Sequence, residues 1–218
     1  MLFYFFKFVM LMIFGVGEAS DTQGVHHFCY TPAVNHSARS HACMHFPSLI
    51  KTVSSEDLLP DNRQLWAAND RLVWEDFQGT PDQRYPHVAA LTASSITYKY
   101  SCEDGVISYE VEAIFRKDES WVRDENRTPY YLQHEQLHFD VTELYARKIR
   151  QSLGEKFFSC EQTAEFETLI EEHLEAWRIM EKKYDLETRY SNDKQMQKNW
   201  YVTVQTDLME YTAYALAE

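Results

Sequence analysis

The feature that most limits what this 218-residue chain can fold into is a pair of alternating runs joined at Glu103-Asp104-Gly105. Residues 89 to 102 read as a strand in which Ile96, Tyr98, Tyr100 and Cys102 alternate with Thr97, Lys99 and Ser101. Ile107, Tyr109, Val111, Ala113 and Phe115 then alternate on the way back. A period of two sends successive side chains to opposite faces of a sheet, and Asp-Gly supplies the positive φ angles that a two-residue hairpin turn demands. The expectation is one antiparallel hairpin with a buried face. A short apolar segment, Leu72-Val73-Trp74, precedes it, and Pro81-Asp82 marks a turn between the two.

The period changes after the hairpin. A helical pattern runs from Pro129, suited to the first helical position, to Leu153, where Gly154 can close it. A second covers Thr163 to Tyr184, with Phe166, Ile170, Trp177 and Tyr184 as an inward stripe, and a weaker third covers Trp200 to Leu216. Strands first and helices afterwards predict an α+β domain over residues 66 to 218, a small antiparallel β-sheet packed against two or three helices. Aromatic residues make up 15% of the chain, enough to fill a core, and six glycines and six prolines are too few for a disordered or collagen-like chain.

The amino-terminal part reads differently. An apolar run from Leu2 to Val16 is interrupted only by Lys7 and followed by Gly17 and Ala19, the pattern of a signal peptide over residues 1 to 19. It is shorter than the roughly 20 apolar residues that span a bilayer, so no stable membrane span is expected after cleavage; an uncleaved anchor is the alternative. Secretion to the periplasm or the extracellular space follows from the leader reading. Residues 20 to 65 carry His26, His27, His36, His41 and His45 without a clean period, and their spacing with Cys29 and Cys43 fits no zinc-finger pattern. They are expected to form a polar arm. Four cysteines in an exported chain predict two disulfides, most economically Cys29–Cys43 and Cys102–Cys160. Asn35-His36-Ser37 and Asn126-Arg127-Thr128 are glycosylation acceptors only in a eukaryotic secretory route.

The expected leader holds one Lys and one Glu, so the formal charge of −13 persists without it. A polyanion would be repelled by such a surface, and nucleic acid is therefore excluded as a partner.

The chemistry is concentrated in His134-Glu135-Gln136-Leu137-His138 on the first long helix. At 100° per residue the two imidazoles stand about 40° apart, one turn from each other, and offer two ligands of a tetrahedral zinc site from one rigid element. Glu135 lies beside them, placed to take a proton from a water as a general base and return it to a leaving amine. Asp140 and Glu143 sit about 200° and 140° around the helix from His138 and are expected to orient neighbouring elements or to pair with Arg147. His173 faces inward near the Trp177 stripe. It is a second candidate ligand, weighed against a hydrogen-bonded core histidine.

Several of these segments together carry a resemblance. Leu72-Val73-Trp74-Glu75-Asp76-Phe77-Gln78-Gly79, Ala89-Ala90-Leu91-Thr92-Ala93, Ser120-Trp121-Val122 and, most specifically, Gln133-His134-Glu135-Gln136-Leu137-His138-Phe139-Asp140 resemble a bacterial family described as predicted secreted zinc-dependent proteases, over roughly residues 71 to 200. The resemblance implies a zincin-like metallopeptidase acting on peptide or protein substrates, with His134 and His138 as zinc ligands and Glu135 as general base. The family's later pattern is matched by Tyr184-Asp185, Thr188, Gln197 and Trp200, but Tyr190-Ser191 stands where the family has His-Gly. Tyr190 is then the expected third ligand, as a phenolate, because a metal depresses the ordinary phenol pKa of about 10. His173, Asp185 and Glu187 remain as other options. The alternative to an enzyme is a noncatalytic secreted binding or scaffold module with a degenerate metal site.

Overall fold

The computed structural model describes residues 62–216. The expected leader, the Cys29–Cys43 pair, the arm histidines and the acceptor at Asn35 lie outside the described residues. Five strands, β1 (Arg63–Leu65), β2 (Ala90–Leu91), β3 (Ser94–Glu103), β4 (Val106–Arg116) and β5 (Trp121–Val122), precede three helices, α1 (Pro129–Gly154), α2 (Thr163–Glu187) and α3 (Lys194–Glu210). The expected α+β class is the one observed. Among the described residues no helix is long and apolar enough to cross a membrane.

The hairpin is β3–β4, paired in antiparallel register with Tyr98 opposite Val111 and Cys102 opposite Ile107. Its two-residue turn places Asp104 at φ 51° and Gly105 at φ 80°, the left-handed pair expected of Asp-Gly. Ile107, Val111, Ala113 and Phe115 are all buried, as their alternation requires. β1 adds to the other edge of β4, giving the order β1-β4-β3, so the sheet begins at Arg63 inside the segment expected to be an arm. The single strand expected over residues 89 to 102 is in fact two. At Thr92–Ala93 the chain leaves the β2–β5 pair for the larger sheet, because the Thr92 hydroxyl donates to the Glu135 carbonyl (3.1 Å) and the Ala93 N–H donates to Ser120 Oγ (2.9 Å). These side-chain bonds take the place of ladder pairing. Gly79 lies so close to the Asp118 and Ser120 carbonyls (2.8 and 2.9 Å from an added Cβ) that any side chain would force them apart.

α1 is the central element. It packs against β3 and β4 and also against α2 and α3, so from His134 to Arg147 every residue but His138 is buried. Thr128 caps its start, the hydroxyl accepting from the Tyr131 N–H, with Pro129 at the first helical position. Asp193 caps α3 in the same way through the Met196 N–H, which starts that helix six residues ahead of the expected Trp200. The disulfide expected between Cys102 and Cys160 is present, with a Cα–Cα separation of 5.7 Å, and ties the far end of β3 to the turn that opens α2.

The carboxylates on the far side of α1 do what their helical angle implied. Asp140, fully buried, accepts both Nη atoms of Arg71 (2.9 and 2.7 Å), the Trp66 indole (2.8 Å), Gln136 Nε2 (3.0 Å) and Gln205 Nε2 (2.8 Å). It thereby joins the segment after β1 and α3 to α1. Glu143 accepts from Arg147 (2.8 Å) and Arg150 (3.1 Å), and these arginines donate onward to the carbonyls of Leu208 and Tyr214.

Candidate metal centre

His134 and His138 emerge from the same face of α1, their rings 5.0 Å apart and nearly perpendicular. α2 crosses this face and brings two acids to it. Asp185 Oδ1 lies 3.3 Å from His134 Nε2 and 3.2 Å from His138 Nε2, while Glu181 Oε2 bonds the opposite nitrogen of His138, Nδ1. Glu181 is itself fixed by the Trp177 indole, which donates to Oε1 (3.0 Å). Tyr184 closes the site from below. Its buried ring stacks on His134 at 4.6 Å, meets His138 edge-on at 4.8 Å and rests on Trp200.

One ligand atom each from His134, His138 and Asp185 lies within 4.8 Å of the others. In a tetrahedral zinc shell with bonds of roughly 2.0–2.1 Å, neighbouring donors are about 3.3 Å apart. The two nitrogen–carboxylate separations have that value already. The donor set of two imidazoles and one carboxylate is one that zinc accepts, leaving a fourth corner open. Side-chain exposure rises from 6% at His134 through 14% at His138 to 33% at Asp185, so the open side faces solvent past Asp185.

The charges of the site follow from these contacts. Burial pulls the pKa of His138 down, but Asp185 and Glu181 flank both ring nitrogens and hold it well above its ordinary value. Burial would raise Asp185; the charge of His138 and hydrogen bonds from both imidazoles outweigh this and keep its carboxyl well below the usual range. The carboxylate is therefore ionised and ready for a cation. The Tyr184 phenol is driven far up by burial and then by the charges of Glu135, Asp185 and Glu181. It therefore stands as a neutral wall of the site.

Glu135 is buried beside the site, its backbone carbonyl held by Thr92.

No family model, curated protein or solved structure matches the chain.

The third corner is where sequence and geometry part. Tyr190, the expected ligand, lies beyond the end of α2 with 55% of its surface exposed, and it is the carboxylate of Asp185 that stands against both imidazoles. The reason is in the backbone. Arg189, Tyr190 and Ser191 all adopt left-handed φ (51°, 53° and 66°), and the Tyr190 N–H folds back to the Asp185 carbonyl (2.8 Å), so the chain turns away one helical turn after Asp185. His173 does face α1 but three to four turns away, where its Nε2 meets Ser152 Oγ at 2.9 Å, the hydrogen-bonded histidine weighed against the ligand reading. Glu187 accepts from the Trp200 indole (3.0 Å). Glu181 was not singled out by the sequence, although the signal was there: Trp177, Glu181 and Asp185 follow one another at four-residue spacing, which continues the apolar stripe of α2 with two acids on the buried side.

Proposed function

We propose that the protein is a secreted zinc-dependent metallopeptidase in which His134, His138 and Asp185 hold the metal and Glu135 is the general base. The observation that carries this reading is the convergence of two imidazoles and an ionised carboxylate from two helices, with a fourth corner left open. Structural zinc sites take four protein ligands; three with an open corner are the pattern of catalytic ones. A zinc bound there would polarise a peptide carbonyl and acidify a water. Glu135 accepts the proton of the attacking water and delivers it to the departing amine nitrogen, so that the peptide bond is replaced by a carboxylate and an amine. Glu181 holds the His138 ring so that Nε2 faces the metal corner. The resemblance to secreted zinc-dependent proteases, the Cys102–Cys160 disulfide and the leader-like amino terminus support the same reading, with a peptide or protein as substrate.

A specific observation favours the noncatalytic alternative: His134 and Glu135 are nearly sealed, at 5% and 4% exposure. In that reading the metal ties α1 to α2 and the surface serves binding. Zinc content and hydrolysis of denatured protein substrates, compared between wild type and Glu135→Gln, decide between them. The enzyme reading expects about one zinc in each protein and a loss of hydrolysis of at least ~100-fold in the variant. Zinc in both with no hydrolysis in either would favour the binding module.

A further inference from the structure

His134 Nδ1 and Gln197 Oε1 are each buried and have no hydrogen-bond partner. Both residues are nearly sealed, at 5% and 1% exposure, and buried polar atoms of native proteins are almost always paired. Both belong to the packing of α3 on the first turns of α1. Gln197 Nε2 donates to the carbonyl of Tyr130, one turn ahead of His134, at 3.2 Å. Trp200, one turn further along α3, packs on Tyr184, which in turn stacks on His134. Because Nε2 of the amide is already committed to Tyr130, Oε1 is left as an acceptor.

The chemistry of the metal corner makes these two atoms complementary. His134 Nε2 faces Asp185, and a cation held in that corner takes the Nε2 lone pair. The remaining imidazole proton must then sit on Nδ1, which needs an acceptor on its buried side. Glu181 meets this need for His138. Building on the metal site proposed above, we propose that Gln197 is the positioning residue for His134, its Oε1 accepting the Nδ1 proton directly or across a single water, so that each metal-binding imidazole is fixed by its own outer partner.

The test compares Gln197→Leu, which removes the acceptor at similar volume, with Gln197→Glu, which keeps an acceptor and loses the bond to Tyr130. Zinc affinity should fall ~10- to 100-fold in Gln197→Leu, the range for lost outer partners of metal ligands, and stay within about threefold of wild type in Gln197→Glu. In the zinc-loaded protein, the slowly exchanging imidazole N–H resonance of His134 should be present in wild type and Gln197→Glu and absent from Gln197→Leu. Wild-type affinity in Gln197→Leu, or equal weakening in both variants with the resonance unchanged, would overturn the assignment while leaving the metal site standing. A wild type that takes up no zinc would overturn both.

Discussion

Asp185→Asn tests the metal centre at the point where geometry and sequence pattern disagree. The substitution keeps the shape of the side chain and removes its charge. Oδ1 sits 3.3 and 3.2 Å from the two imidazole nitrogens, at the donor spacing of a tetrahedral shell, so the carboxylate needs almost no rearrangement to coordinate. A neutral amide is a poor zinc ligand, and two histidines alone make a weak site. Loss of an outer partner costs ~10- to 100-fold in affinity, and loss of a direct ligand should therefore cost at least ~100-fold, about 2.8 kcal/mol. The fold should survive. A fully buried ion pair broken on one side costs ~3–5 kcal/mol, but Asp185 keeps a third of its side chain exposed, which brings the expected loss in the metal-free protein to about 1–2 kcal/mol. Competition against a chromophoric chelator gives the affinity, and urea unfolding of the metal-free protein supplies the control. Tyr190→Phe, which deletes only the phenol oxygen, should leave zinc affinity within about twofold. The reasoning fails if Asp185→Asn binds zinc as wild type does while Tyr190→Phe releases it.

Other perturbations probe the frame around the site. Asp140→Ala removes the acceptor that a part-exposed Arg71 and the half-buried indole of Trp66 share, and urea unfolding should show a loss of ~1–3 kcal/mol. Reduction of Cys102–Cys160 should destabilise by about 4 kcal/mol on the chain-entropy account, given its 58-residue separation, measurable as a lower urea midpoint with and without reductant. His173 is depressed by burial and then by the nearby charge of Lys148. The unfolded chain therefore takes up its proton more readily, so stability is full above the ordinary histidine value near 6.5 and declines as pH falls through the lower folded value. His173→Gln should flatten the unfolding free energy in the range just below pH 6.5, and an unchanged pH slope would contradict this.

Most of the frame was legible because its rules are local. The Asp104-Gly105 turn, the alternation from Ile107 to Phe115 and the start of α1 at Pro129 each depend on residues within a few positions of one another. The split at Thr92–Ala93 was not legible, since it depends on Ser120 and on a carbonyl of α1 more than forty residues away. β1 was hidden for a similar reason: three residues in a polar segment acquire strand character only by pairing with Gln64 opposite Phe115 on β4.

The site divides along the same line. Two of the candidate ligands and the proposed base are read from α1 alone, because helical periodicity fixes the relative direction of residues four apart. The third candidate ligand comes from another helix, and which of its acids arrives is set by the crossing of α2 over α1 and by where α2 ends. A pattern match at the position of a family histidine pointed to Tyr190. The structure extends α2 to Glu187, three residues past the expected end, and this keeps Asp185 on the helical face of Trp177 and Glu181 while Tyr190 falls beyond it in a left-handed turn. An acid at four-residue spacing from another acid, on the inward side of a helix facing a histidine pair, is thus a stronger pointer to a metal ligand than the alignment of a loop residue, because burial of two adjacent carboxylates on an apolar face is costly unless cations or imidazoles meet them.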